Sequence, residues 1–364
     1  MPFYYKSHGK EPPSAFVAAV RKIYNPLGFY RGYNFPLWII TGLGALAFCA
    51  SRAMFLDYDG TYKNDKIPIG EWLYQGHGRG RTGMLMHLAA VIPIGFLIPW
   101  QFLPVIRHRF MIFHRINGYT LGILLVLCNT GAILVGPGAL GGTIEVRLLI
   151  GVLTITTFGS FTMALINIKQ LQIDQHRAWM LRCWAIAFNI VSLRLIQLAA
   201  VEIISRMKSF YATISCARID SAFSIIQPGM APLFYPACED PTAWVAVLAD
   251  GYPDPTPEGI PRLDMITASA QVTFAMSGFM ALLIHLFVVE VYLHLTKAES
   301  DRLKKVSCER QMAKKWGPGW LTAQRLGDVN AFEYEKVAKA DDDEVVKPFS
   351  VPSGVDQAYS GRGL

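Results

Sequence analysis

The chain has 364 residues, of which 17% are charged and 52% hydrophobic, against roughly 25% charged in an average soluble protein. The net charge is +7, but 12 of the 34 Lys and Arg lie after residue 295 and most of the others flank apolar stretches. That distribution sets membrane orientation and attracts headgroups, and no basic fold motif accompanies it, so nucleic acid is excluded as a partner along with the collagen-like, disordered and small disulfide-scaffold classes.

In chain order, residues 1–35 hold Lys6, Lys10, Arg21, Lys22 and Arg31 with Pro12, Pro13 and Pro26, and no compact apolar run. They read as a polar N-terminal segment with no cleavable signal peptide, which leaves the first span as an uncleaved anchor. Uncharged windows follow at 32–51, 82–106, 116–144, 148–168 and 265–289, with a sixth, 183–201, broken only by Arg194. A bilayer core of about 30 Å takes about 20 helical residues, so each window predicts a membrane-spanning helix. The expected fold is all-α, a polytopic transmembrane helical bundle of about six spans, at 36–55, 82–106, 116–136, 148–168, 178–205 and 266–295. Gly78-Arg-Gly-Arg-Thr-Gly83 fits a dinucleotide fingerprint, but it precedes a membrane helix with no βαβ unit and is expected to be a flexible entry loop. The Gly136–Gly142 stretch is expected to turn between spans three and four.

Short loops alternate in basic content. Arg107, Arg109 and Arg115 crowd one turn and Lys169, Arg177 and Arg182 another, whereas 137–147 carries only Arg147, and 56–81 offsets four basic residues with Asp57, Asp59, Asp65 and Glu71. The positive-inside rule then predicts both termini cytoplasmic. The 206–265 loop faces outward on this reading, and it is acidic, with Asp220, Glu239, Asp240, Asp250, Asp254, Glu258 and Asp264. Its uncharged stretch 221–238 contains Pro228, Gly229, Pro232 and Pro236, which argue against a seventh regular helix and for a cap or a shallow re-entrant segment. Cys216 and Cys238 share this loop and are expected to form a disulfide, two free thiols being the alternative; Cys49, Cys128, Cys183 and Cys308 are expected reduced. Residues 296–364 form a polar cytoplasmic tail. It opens with a helical run Lys297–Trp316, breaks at Trp316–Trp320, passes an acidic patch Asp341–Glu344 and ends disordered from Ser350. Spans three and five are each entered through His-Arg (His114-Arg115 and His176-Arg177), from a duplicated hairpin or by coincidence.

Ionisable groups in a bilayer are costly and usually face the bundle interior, so the polar residues of the spans are the candidates for chemistry. At 100° per residue, Gln101 lies about 40° from His87 on span two. Arg182, Asn189, Gln197 and Arg194 share an arc of roughly 140° on span five. Gln271 and His285 fall within about 40° on span six, and Glu290 and His294 form a second stripe there. Helix–helix hydrogen bonding is the plain role for the amides. Arg194 costs roughly 2.5–3.5 kcal/mol at a helix centre and calls for a bound anion or a buried acid.

Two stretches carry a resemblance. One is His87-Leu-Ala-Ala, then Gly95, Trp100-Gln101-Phe102, Arg107, Arg109 and His114-Arg115-Ile-Asn-Gly118-Tyr119; the other is Ile173-Asp174-Gln-His176-Arg177-Ala-Trp179-Met180-Leu-Arg182 with Leu193-Arg194-Leu195. Together, over about 82–205, they resemble the predicted-membrane-protein family catalogued as domain of unknown function 2306. In that family a His opens one span, a Gln-Phe pair closes it, His-Arg-x-x-Gly-Arg/Tyr starts the next, and His-Arg-x-Trp-Met-x-Arg starts a later helix with an Arg deeper in it. Tyr119 stands where many members carry Arg. The first span, the long outer loop and the tail look like additions of longer, fungal-type members. The resemblance implies an integral membrane protein and no established activity.

Three function classes remain. An intramembrane tailoring enzyme for a lipophilic substrate would use His87 and Arg194 catalytically, with Gln101, Gln197, Gln271 and His285 lining the substrate. A transporter, receptor or lipid-binding scaffold would use the same seam for binding alone. A haem-b-type redox protein would ligate iron through His114 and His176. No span carries two histidines at a spacing that would stack two haems along one helix: His87 and His108 are 21 apart, His285 and His294 nine apart. No Cys pair or H-E-x-x-H points to zinc.

Overall fold

The computed structural model of the chain describes residues 14–29, 32–66, 69–224 and 226–314. The Trp316–Trp320 break, the acidic patch Asp341–Glu344 and the end from Ser350 lie outside the described residues. Two compact units result: unit 1 takes its described residues from the stretch up to Phe158 and from Trp184–Phe287, unit 2 from Gly159–Cys183 and from Val288 onward.

Among the described residues, six helices are long and apolar enough to cross a membrane: Asn34–Leu56, Gly78–Phe102, Met111–Val135, Ile144–Lys169, Ile173–Met207 and Leu263–Leu295. Their outer surfaces are as apolar as their contacts. Ile40, Ile123, Ile155, Leu195 and Leu283 stand exposed, an arrangement that a lipid surround satisfies and water does not. The chain is an all-α polytopic helical bundle with almost no sheet.

In unit 1, α1 (Ala15–Tyr24) starts at Ser14, whose hydroxyl accepts from the Val17 amide. α2 (Asn34–Arg52) ends in a 3-10 turn, Ala53–Leu56, and a π-helical run, Tyr58–Lys66. The short α3 (Trp72–Gln75) leads to α4 (Gly78–Phe102), α5 (Pro104–Arg109) and α6 (Met111–Val135). The expected flexible loop at Gly78–Gly83 is instead the first turns of α4. The reason is packing: a Cβ on Gly83 would meet the Leu134 side chain at 2.6 Å, and one on Gly131 would meet the His87 amide nitrogen at 2.6 Å, so these glycines let α4 and α6 approach backbone to backbone. α4 stops at Phe102 rather than near 106, because Pro104 lacks the donor that would continue it. Trp38 Nε1 donates to the Pro99 carbonyl (2.9 Å) near that end.

α7 (Ile144–Lys169) follows a tight turn in which Gly141 and Gly142 take positive φ. Span five is not one helix but two, α8 (Ile173–Ala187) and α9 (Asn189–Met207), separated at Phe188. The 206–265 segment is a folded cap: β1 (Tyr211–Ser215), α10 (Cys216–Phe223), α11 (Ala231–Phe234) and β2 (Trp244–Leu248). β1 and β2 pair antiparallel, from Tyr211↔Leu248 to Ser215↔Trp244. Ile214, Ile219, Phe223 and Val247 form a core with Cys238 and Ala268, and Phe223 stacks on Phe234 at 5.0 Å. Of the 221–238 stretch, Ala222, Phe223, Ala231 and Cys238 are buried in the cap's interior, while Ile226 and Leu233 are exposed. α12 (Leu263–Leu295) is the last span.

In unit 2, α13 (Lys297–Ala313) is hydrogen-bonded to the α7–α8 turn: Ser307 Oγ accepts from the Ile173 amide (2.9 Å), and Gln311 Nε2 donates to the Gln170 carbonyl (2.8 Å). Arg177 reaches Thr296 (2.9 Å) and Ser300 (3.3 Å). The expected helix at the start of the tail is present over Lys297–Ala313; Lys315 and Trp316 lie outside the described residues.

Candidate functional site

Three connections on one face of unit 1 converge on a single carboxylate. Glu71, beside α3, accepts from the Arg218 guanidinium of α10 (2.9 Å), from Gln75 Nε2 (3.0 Å) and from the Leu140 amide of the α6–α7 turn (2.9 Å). Glu71 and Arg218 are each 1% exposed. Arg218 also donates to Gln271 Oε1, whose amide nitrogen donates to the Thr213 carbonyl (3.1 Å). Gly141, at φ +82°, has to be a glycine here, since a Cβ would strike Gln271 and the Arg218 guanidinium. From Gln75 the network continues to two stacked phenols: Tyr58 donates to the Gln75 carbonyl (2.7 Å) and Tyr62 to its side-chain oxygen. Burial pushes the Glu71 carboxyl upward, and Arg218 with the Leu140 and Gly141 amides acts against it. Burial lifts the Tyr58 phenol to about 12. It lifts Tyr62 as well, and there the Arg194 cation draws the phenol back.

Arg194 is the contrasting charge. It lies on α9 within span five, partly exposed, and donates to Gln197 Oε1 (2.9 Å) one turn on. Its guanidinium sits over the Phe274 ring at 5.3 Å. Among the described residues no carboxylate pairs with it. The nearest acid on its own helix by sequence, Glu202, is paired with Arg206. A second cation, Arg52, is close enough to repel it. Arg52 lies over the Phe48 and Phe55 rings at 5.4 and 5.5 Å, and it too has no carboxylate partner among the described residues. Phe55 meets Tyr62 edge-on at 5.5 Å, which ties Arg52 to the same aromatic cluster, packed on Leu88 and Ile92 of α4. Two guanidiniums of unit 1 thus each lie against aromatic rings with no carboxylate partner among the described residues, a costly arrangement without an anion.

The other sequence candidates are dispersed. His87 and Gln101 share one face of α4 and both reach α6: His87 Nδ1 lies 3.1 Å from the Cys128 carbonyl, and Gln101 donates to the His114 carbonyl (3.0 Å). No hydrogen bond joins His87 to Arg194. Gln197 stands beside Arg194 and also reaches the Ala270 carbonyl (3.3 Å). Gln271 belongs to the cap network. His285 sits at the Phe188 break, with Nδ1 on the Ala185 carbonyl and Nε2 on the Ser192 hydroxyl, both at 2.7 Å. His114 belongs to unit 1; His176, in unit 2, has Nδ1 on the Ala164 carbonyl at 2.9 Å. Arg182, Trp179 and Glu290 also meet in unit 2, where the ion pair is bidentate at 2.6 and 3.0 Å. Cys216 and Cys238 are joined by a disulfide with Cα atoms 5.1 Å apart, and the other four cysteines are buried thiols. Among the described residues no group of three His, Cys, Asp or Glu is placed to hold a metal ion. Sequence reasoning passed over Arg52, Tyr62, Gln75 and Arg218. Arg52 reads as an ordinary flanking charge at the end of a span, and nothing local links Glu71 to a residue 147 positions away.

Residues 84–219 match the family model described as Predicted membrane protein (DUF2306). Over this segment the chain is similar to that family. The match runs from the start of α4 to within α10, so the family's segment holds His87, Arg194 and Arg218 but neither Arg52 nor Glu71. No curated protein and no solved structure matches the chain. With its six apolar helices the chain is a membrane protein, and the DUF2306 description assigns no activity.

Proposed function

We propose that this DUF2306 protein holds the acidic group of a lipophilic molecule at Arg194 and Arg52, with its apolar part against Phe55, Phe274 and the surrounding hydrocarbon. The observation that carries this reading is that two guanidiniums within spans lie over aromatic rings, Arg52 over Phe48 and Phe55 and Arg194 over Phe274, and neither has a carboxylate partner among the described residues. An anion between them removes the repulsion and satisfies donors that Gln197 alone does not. The reading favours a carrier, receptor or lipid-binding scaffold over a tailoring enzyme. His285 has both ring nitrogens engaged, on the Ala185 carbonyl and the Ser192 hydroxyl, and no hydrogen bond joins His87, whose Nδ1 faces the Cys128 carbonyl, to Arg194. We further propose that both termini face the cytoplasm, supported by the basic turns at 107–115 and 169–182. A glycosylation acceptor placed within 240–260 is then modified and one in the tail is not.

The binding test uses the full chain in nanodiscs with a long-chain fatty acid bearing a photoactivatable diazirine, and the matching alcohol as control. The acid should label peptides around Arg52–Tyr62 and Arg194, the alcohol much less. Arg194→Leu and Arg52→Gln should each reduce acid labelling to the alcohol level. Equal labelling by acid and alcohol, or labelling that survives both substitutions, overturns the proposal.

A further inference from the structure

We infer that the opposite end of unit 1, formed by α1, α5 and the start of α6, is a binding surface for anionic phospholipid headgroups. α1 is fixed there by its own sequence: Val20, Tyr24, Leu27 and Phe29 pack against Phe35 and Trp38 of α2 and against Leu103, Val105 and Ile106. The Val105 amide donates to the Leu27 carbonyl (3.0 Å), and Gly28, at φ +84°, lets the two segments close, since a Cβ would come within 3.1 Å of the Val105 nitrogen. α5 joins spans two and three, and α1 precedes span one, so both lie where hydrocarbon gives way to water.

The surface left outside this packing is amphipathic in the sense a leaflet requires. Phe16 and Ile112 are each 76% exposed, and Ile23 and Ile116 also face outward. Beside them Lys22, Arg109 and Arg115 are exposed, and among the described residues none of the three is ion-paired. Residues 14–29 and 103–119 contain no Asp or Glu at all. An apolar ridge bordered by unneutralised cations fits acyl chains below and acidic headgroups above, whereas an acidic soluble protein would leave Phe16 and Ile112 without a partner. The surface is separate from Arg52 and Arg194, which lie toward the other end of unit 1.

The test is lipid retention by native mass spectrometry of the full chain, released from nanodiscs of phosphatidylcholine mixed with phosphatidylglycerol. The wild type should keep phosphatidylglycerol over phosphatidylcholine, and each of Lys22→Gln, Arg109→Gln and Arg115→Gln should lower that preference about fivefold. Arg109→Lys and Arg115→Lys should retain it, which separates charge from folding. Absence of a preference in the wild type, or an unchanged preference in all three Gln variants, overturns the inference. So does equal protection of the surface by soluble glycerophosphate in neutral detergent, which would make it a free-anion site.

Discussion

Arg218 and Arg194 are both arginines in unit 1, yet the fold treats them oppositely. Arg218 is enclosed in the cap with Glu71 against it, Gln271 beside it and the Leu140 amide completing the carboxylate's shell. Arg194 is offered an amide and an aromatic face, with a second cation nearby. A buried charge that is neutralised by its own chain holds structure together, and removing one partner is expensive. A charge left without a counter-ion contributes little to folding and retains its capacity for a ligand. The two should therefore respond to substitution in opposite ways.

The largest expected effect is on the cap side. Glu71→Ala or Arg218→Ala should cost about 3–5 kcal/mol, read as a lowered thermal midpoint in detergent and as new protease cleavage within 206–265. A double change to apolar residues of similar volume should recover most of that loss. If the single variants melt like wild type, the network is not what secures the cap. Next in size is the disulfide, closing a loop of 22 residues. Reductant, or Cys216→Ser, should cost about 3 kcal/mol, visible as a lower midpoint that reductant no longer shifts in the variant. His285→Ala comes third, at about 1–3 kcal/mol, because the Ala185 carbonyl at the Phe188 break loses its donor. Hydrogen exchange should rise around 185–192 and not in the cap.

A smaller, pH-dependent effect belongs to Asp250. Burial opposes its ionisation, but the Lys208 ammonium and the Tyr252 amide outweigh burial and hold the carboxyl below its ordinary 3.8. A depressed acid stabilises above its unfolded value and loses that contribution as pH falls through the folded one. Asp250→Asn should therefore be less stable than wild type near neutrality, and the gap should close below about pH 3.8. At the bottom of the series stands Arg194→Leu. It should leave the midpoint unchanged or raise it, since leucine inserts more favourably than arginine, while fatty-acid labelling disappears. A large drop in stability on this substitution would make Arg194 a structural residue like Arg218.

What could be read from the sequence follows the same division. The spans were legible because hydropathy is a property of consecutive residues, and the ends of the six helices fall within five residues of those of the expected spans. Ends were less so: Pro104 stops α4 early, and the break at Phe188 has no proline or glycine to announce it. Arg194 announced itself through its cost in a bilayer. His87 and His285 carried the same signal, although their rings engage carbonyls of neighbouring helices, a use that composition cannot distinguish from chemistry. The cap network was invisible, because Glu71, Leu140 and Arg218 come from three separate connections and no periodicity relates them.

That convergence has a consequence for biogenesis. The segments that meet at Glu71 leave the ribosome in a fixed order, with Leu140 appearing after the third span and Arg218 only after the fifth. Until then the nascent chain carries a carboxylate whose cation has not been synthesised, so the cap cannot close on a partial bundle. A chain that stops short of residue 218 lacks the cation that completes the Glu71 network, so the cap can be finished only after the fifth span has been made.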